Sequence, residues 1–325
     1  MQMPSLSSVA NKLLWALKIY FGWCMVMSVF YQISVLVVVD IIVMPLYVLY
    51  RPAYQWLFQR VSETYMLFYP FVFYYICGNR VVETGDSFRV NENAIIISNH
   101  THFYDFIPTV LAAPRAGRIG AMRFFMKDDI RKIPFIGFGF WLMDSIYLKR
   151  DFETDKPFIM ETFKRFRNKY YPFWLTIYPE GTRVKPQKLR EAQEFAAHNG
   201  LPTLNNLLNP RPKGFTVSLQ TLRHVVPAVY DVTIGYPIKP TPACVFCFNE
   251  GITFHTHIRR IPTSEIPDDP EEIHEWLTKL WVEKDELMSY FKTHHNFPGD
   301  SRTPPMEFHW ADFTGYMSKE CFSLP

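Results

Sequence analysis

His100 and Asp105 stand five positions apart, directly after the apolar run Ala94-Ile95-Ile96-Ile97-Ser98. A carboxylate bonded to one imidazole nitrogen fixes the tautomer and supports the charge when the other nitrogen takes a proton. Such a pair is a general base for an alcohol. It needs no Ser or Cys nucleophile when the electrophile is already activated, as a thioester is. A second polar cluster, Tyr178-Pro179-Glu180-Gly181-Thr182-Arg183, follows another apolar run, Trp174-Leu175-Thr176-Ile177. Gly181 lets the backbone approach a ligand closely. Thr182 and Arg183 supply a hydroxyl and a guanidinium fork suited to phosphate. Glu180 is positioned to accept from a hydroxyl or to hold the arginine.

Between the clusters lies a basic, aromatic stretch. Arg123, Lys127, Arg131 and Lys132 are followed by Ile133-Pro134-Phe135-Ile136-Gly137, then by Tyr147-Leu148-Lys149-Arg150. Basic groups beside apolar ones fit a lipid with an anionic head. Arg150, just past a strand-like run, is the candidate phosphate ligand; Arg131 and Lys132 read as a solvated face.

Both clusters need a scaffold that ends strands at one edge. Short apolar runs at Ala94–Ser98, Ser145–Leu148, Trp174–Tyr178 and Val225–Val232 read as buried strands. Helical stretches, Pro157–Lys169 and Leu189–His198, lie between them, and a further helix is expected from about Glu271 to Phe291. Strands alternating with helices predict an α/β fold, a mixed sheet flanked by helices, in which loops at strand ends carry ligands. The division expected is residues 1–80 as membrane-anchoring and interfacial helices, 81–295 as the α/β domain, and 296–325 as a Pro-rich, poorly ordered tail.

The first quarter has a different texture. No charge occurs from Ile19 to Val39, a run of roughly 20 residues that suffices to cross a hydrocarbon core as a helix. A second apolar run, Ile41–Tyr50, is interrupted by Pro45, so a bend is expected near Asp40 and Pro45. Thr64–Cys77 is short and rich in Tyr and Phe, which suits an interfacial helix. Many of the aromatic residues, 17% of the chain, lie here, where amphipathic rings favour a membrane boundary.

Other classes fit less well. A formal net charge of +3 is too small to argue for nucleic acid. His100-x-His102 with Asp105 invites a metallohydrolase reading, but Phe106 stands where a further His is needed, so no metal is expected. His102 then lines the groove or supports it. Cys244-Val245-Phe246-Cys247 has half of a zinc spacing without a second half. Lys284-Asp285-Glu286-Leu287 spells a retrieval signal that is read only at a chain terminus, and it lies inside a helix here.

Taken together, the motifs identify a resemblance to the glycerolipid acyltransferase superfamily, and within it to 1-acylglycerol-3-phosphate acyltransferases. The family's N-H-x-x-x-x-D is met by Asn99, His100 and Asp105, and its E-G-T-R by Glu180, Gly181, Thr182 and Arg183. Its aromatic–x–x–Arg block is met by Tyr147 to Arg150, with Asp144 where the family often has Gly. Its Val-Pro-hydrophobic strand is met by Val226-Pro227-Ala228. The segments Gly200-Leu201-Pro202, Pro210 to Phe215 and Arg259-Arg260-Ile261-Pro262 resemble the subgroup with a long C-terminal region. The resemblance implies His100 and Asp105 as the catalytic pair and Arg150 and Glu180 to Arg183 as substrate-binding residues. It implies acyl-CoA as co-substrate, no cofactor or metal, and attachment to a bilayer, of the endoplasmic reticulum or the mitochondrial outer membrane. The implied acceptor is lysophosphatidate, acylated at the sn-2 hydroxyl; lysocardiolipin or lysophosphatidylinositol remodelling and an inactive lipid-binding scaffold are the alternatives.

Overall fold

The computed structural model describes residues 6–50, 54, 57, 62–63, 66–134, 136–149, 151–168, 171–246 and 251–306. Leu6–Leu49 is one 44-residue helix, α1, running through Asp40 and Pro45 without a break. Phe68–Phe71 (α2) leads into a π-helical turn, Val72–Ile76. The α/β domain then follows as β1 (Arg80–Gly85), β2 (Ala94–Ser98), α3 (Phe106–Ala112), β3 (Met122–Lys127), α4 (Ile136–Leu142), β4 (Ile146–Leu148), α5 (Phe152–Phe166) and β5 (Trp174–Ile177). It is completed by α6 (Pro186–His198), α7 (Pro212–Leu222), β6 (Ala228–Gly235), α8 (Pro242–Phe246), β7 (Thr253–Pro262) and α9 (Pro270–His294).

The seven strands form one sheet in the order β1-β7-β6-β2-β5-β3-β4. Only the β6–β7 pairing is antiparallel; β2 pairs in parallel with both β5 and β6. The parallel centre explains why β2, β5 and β6 are continuous apolar runs, since both faces are covered. Alternation along each strand sorts side chains to the two faces. Ile95, Ile97, Leu175, Ile177 and Val229 meet α5, α7 and α9 through Phe163, Phe215 and Trp281. Ala94, Ile96, Trp174, Tyr230 and Val232 face the other way, against Phe73, Tyr104, Ile107 and Leu111.

The mixed sheet with flanking helices is thus as expected, with several refinements. Strands β1, β3 and β7 lack a long apolar run and were not legible. The expected strand Val225–Val232 begins later, at Ala228. The short segment Phe68–Ile76 is not free at an interface along its whole length: Phe73 packs against Phe106 and Phe246, with ring centroids 6.4 and 6.0 Å apart. Among the described residues no helix is long and apolar enough to cross a membrane. Several side chains of the Ile19–Val39 run, Met25, Val26, Val29 and Phe30 among them, lie outside the described residues, so the expected span is not found. What α1 does show is an uncovered apolar face, with Tyr20, Trp23, Met27, Tyr31, Val35 and Val38 exposed at every third or fourth position.

The tail expectation needs correction. Residues 296–306 fold back onto the domain, with Phe297 buried and Arg302 exchanging backbone hydrogen bonds of 2.8 and 2.9 Å with Glu83. Residues 307–325, Phe135, Arg150 and Cys247 lie outside the described residues, as does the Cys244 side chain.

Asp144 shows how this chain departs from the family pattern. Its φ is +55°, in the left-handed region that favours glycine. An ion pair with Arg165 at 2.6 Å and a hydrogen bond from Tyr171 hold it there. Arg123, expected to face lipid, is buried instead; it donates to Gly120 O and Met122 O at 3.0 and 2.9 Å.

Candidate active site

Parallel pairing of β2 and β5 brings the loops after both strands to one sheet edge. Asn99, the first residue past β2, uses its side chain as a substitute peptide. Its Nδ2 donates to Ile234 O at 3.0 Å, and its Oδ1 accepts from Ile234 N at 2.8 Å. This extends the β2–β6 register by one step and fixes where His100 leaves the sheet. The next residue is clamped from the β5 side: His100 N donates to Glu180 Oε1 at 2.8 Å, and His100 O accepts from Val184 N at 2.8 Å.

The imidazole of His100 stacks on Tyr178, with centroids 4.4 Å apart. Its Nδ1 lies 2.9 Å from Asp105 Oδ2. With Nδ1 as the N–H, Nε2 is the free lone pair. The His100 side chain is 24% exposed while Asp105 is fully buried, so the imidazole is open to solvent and its partner is not. Asp105 occupies the position before α3 but does not cap that helix. Its Oδ2 turns back to accept from Thr101 N and His102 N at 2.7 and 2.9 Å. Its Oδ1 accepts from the Tyr236 hydroxyl. Four donors on one buried carboxylate fix its direction. Tyr236 remains a donor, because burial, then the charge of Asp105, raises its pKa well above the usual phenol value. Nothing in local spacing points to Tyr236, which is 131 residues from Asp105. Its position just past the end of β6, beside β2, is the only signal.

His102 is half-buried and edge-on to Tyr236, centroids 4.9 Å apart. Burial lowers its pKa; Asp105 opposes this, while the positive charges of Lys239 and Arg183 add to the lowering. Its ring lies beside the His100–Asp105 corner. Among the described residues no group of three or more His, Cys, Asp or Glu side chains is arranged to hold a metal.

The E-G-T-R turn divides into an inner and an outer half. Glu180 is buried, and both oxygens are engaged: Oε1 with His100 N, and Oε2 with Leu208 N at 3.1 Å. It ties the loop after β2 to the segment before α7, with its carboxyl group inside the protein. Burial pushes its pKa up to about 8, against the pull of those two N–H groups. Leu208 ends a loop whose Asn205, Asn206 and Leu207 N–H groups are held by Asp285 at 2.7–3.0 Å. The misleading tetrapeptide of α9 is therefore scaffold for the site. Gly181 has φ +68°, Thr182 is half-exposed, and Arg183 is exposed. Arg183 has no hydrogen-bond or ion-pair partner among the described residues, and its charge reaches His102. The site residue Arg150 lies outside the described residues.

A family model described as "Acyltransferase" matches residues 79–231, and one described as "Acyltransferase C-terminus" matches residues 247–313. The chain is 34% identical over 238 residues to the probable 1-acyl-sn-glycerol-3-phosphate acyltransferase 5 of Arabidopsis thaliana, covering 73% of this chain and 64% of that protein. It is 30% identical over 272 residues to the 1-acyl-sn-glycerol-3-phosphate acyltransferase 2 of Brassica napus, covering 81% and 70%. Against the human 1-acyl-sn-glycerol-3-phosphate acyltransferase gamma it is 34% identical over 214 residues, 66% of this chain and 57% of that one. The chain thus spans between about half and 70% of the length of these relatives. The crystal structure of the 1-acyl-sn-glycerophosphate acyltransferase PlsC from Thermotoga maritima aligns with a TM-score of 0.45 and 16% identity, over 78% of this chain and 94% of that one.

Proposed function

Because the chain belongs to the 1-acyl-sn-glycerol-3-phosphate acyltransferase family, we propose that it transfers a fatty acyl group from acyl-CoA to the sn-2 hydroxyl of lysophosphatidate, making phosphatidate. The observation that carries this reading is the open His100 ring held by a closed, fourfold-bonded Asp105. His100 Nε2 takes the proton of the acceptor hydroxyl as its oxygen attacks the thioester carbonyl. When the tetrahedral intermediate collapses, the C–S bond breaks and the imidazolium returns that proton to the CoA sulfur. Asp105 supports the transient cation and is not itself protonated. Glu180 and Asn99 fix the backbone on either side of His100, which is a positioning role. Arg183 and Thr182 face outward, where an acceptor phosphate is reached.

The uncovered apolar face of α1 supports attachment to a bilayer, in which the acceptor resides. Among bilayers the reading favours the endoplasmic reticulum over the mitochondrial outer membrane. Retention of the full chain in membranes after a carbonate wash supports an embedded α1; complete release refutes it.

The central test is acyl-CoA-dependent release of free thiol by the purified full chain, across a panel of lysolipids. Lysophosphatidate is expected to give the highest kcat/KM. A higher value with lysophosphatidylinositol or lysocardiolipin would replace the acceptor, and no thiol release with any lysolipid would return the chain to a lipid-binding role.

A further inference from the structure

Gly181 is usually accounted for by its turn, but its surroundings show a second reason. A Cβ on Gly181 would stand 3.3 Å from Arg211 Cδ, 3.5 Å from Nε and 3.8 Å from Cζ. The Arg211 side chain therefore crosses the turn directly above the glycine. Its backbone is pinned there, since Arg211 N donates to Pro179 O at 2.8 Å. Pro179 follows Tyr178, on whose ring His100 stacks. Glu180, between Pro179 and Gly181, holds the His100 backbone. Arg211 thus sits on the rim of the catalytic loop although it is far from both motifs in sequence.

Its charge is unspent. Arg211 is exposed and makes no ion pair or hydrogen bond through its guanidinium among the described residues, whereas Arg115, Arg223, Arg259, Arg260 and Arg302 all do. Arg183, two residues past Gly181, is also without a partner among the described residues. Glu180 forms no ion pair with either of them there; its oxygens accept from His100 N and Leu208 N. Among the described residues, two guanidinium groups without partners therefore flank one turn beside His100.

We propose that Arg211 is a specificity-determining residue that, with Arg183, selects an acceptor bearing a terminal phosphomonoester over one bearing a phosphodiester. The inference rests on the lysophosphatidate reading above and sharpens it. A phosphomonoester carries a charge of about −1.5 to −2 near neutral pH, with three terminal oxygens. A phosphodiester carries one charge and two. Two guanidinium forks match the first in charge and in acceptor sites, and one suffices for the second. Gly181 serves this by leaving the space in which the Arg211 side chain lies.

The test compares the full-length wild type with Arg211→Gln, using lysophosphatidate and lysophosphatidylglycerol in the same mixed micelles, with acyl-CoA varied separately. Expected is a fall of roughly 30-fold or more in kcat/KM for lysophosphatidate, a change within about threefold for lysophosphatidylglycerol, and an unchanged acyl-CoA KM. Gly181→Ala, whose Cβ obliges Arg211 Cδ to yield from 3.3 Å on a backbone at φ +68°, should shift the ratio of the two acceptors in the same direction, with melting temperature as the check on strain in the turn. Equal losses on both acceptors, or a loss confined to acyl-CoA KM, would overturn the role of Arg211 while leaving the acceptor assignment standing. A wild type that prefers lysophosphatidylglycerol would instead overturn the acceptor assignment, and this inference with it.

Discussion

Two buried aspartates, Asp105 and Asp231, hold basic partners in the same domain and come to opposite ends. At the catalytic corner Asp105 is closed, but its partner His100 is 24% exposed and keeps one ring nitrogen free. On β6, Asp231 pairs with Lys284 at 2.6 Å and with Arg259 at 2.7 Å. Lys284 is fully buried, and its remaining donors reach Val232 O and Thr233 Oγ1 at 2.8 and 3.1 Å. That ammonium faces three oxygens inside the protein, those of Asp231, Val232 and Thr233. Both acids are buried and paired; what separates an open pair from a rivet is whether the base keeps a ring or ammonium nitrogen facing solvent. The two centres also feel each other, since the Lys284 charge reaches Glu180, which holds the His100 backbone.

The largest expected effect breaks the open pair. His100→Ala should lower kcat by about 10²- to 10⁴-fold with the melting temperature nearly unchanged, because the ring is part-exposed. Asp105→Asn should also be severe through loss of tautomer and orientation. Near-normal turnover in a folded His100→Ala protein would end the mechanism.

Breaking the closed pair should invert that pattern. Lys284→Met leaves Asp231 buried with Arg259 alone, and removal of one partner from a buried pair costs about 3–5 kcal/mol. Denaturant unfolding should show a loss toward the lower end of that range, since Arg259 remains. The Asp231→Leu/Lys284→Met double variant should recover part of it. A stable single variant with catalysis lost would move Lys284 into the active site.

A smaller effect sharpens the open pair. Tyr236→Phe removes one hydrogen bond to a charged acceptor, a contribution of about 1.5–3 kcal/mol. We expect kcat to fall roughly tenfold and substrate KM values to hold, because Asp105 loses one of the donors that fix its direction. An unchanged kcat would reduce Tyr236 to packing.

The smallest effect concerns Glu180. Its folded pKa of about 8 lies above its ordinary value of 4.5. Its stabilising contribution is therefore full below that ordinary value and is lost as pH rises through about 8. The stability gap between wild type and Glu180→Gln, read as melting temperature, should be widest near pH 5 and shrink toward pH 8. A gap that widens with pH would show that the two N–H donors outweigh burial.

The amino-acid sequence by itself marked His100 and Asp105 as a candidate base and its partner, the E-G-T-R turn, and the buried strands at the centre of the sheet. These are local signals: motif residues close in number, and apolar runs long enough to be buried on both faces. It also gave α9, whose start is marked by Pro270 and by Asp269 accepting from Glu271 N and Glu272 N. The tertiary structure alone decided which of those residues face substrate. Glu180 turned inward because Leu208 N and His100 N converge on it, and Arg123 because Gly120 O and Met122 O do. Tyr236, Arg211 and Asp285 reach the site from loops and helices that no spacing rule links to residues 99–105. Side-chain direction and charge pairing depend on which strand ends become neighbours, and that is set by packing the whole sheet.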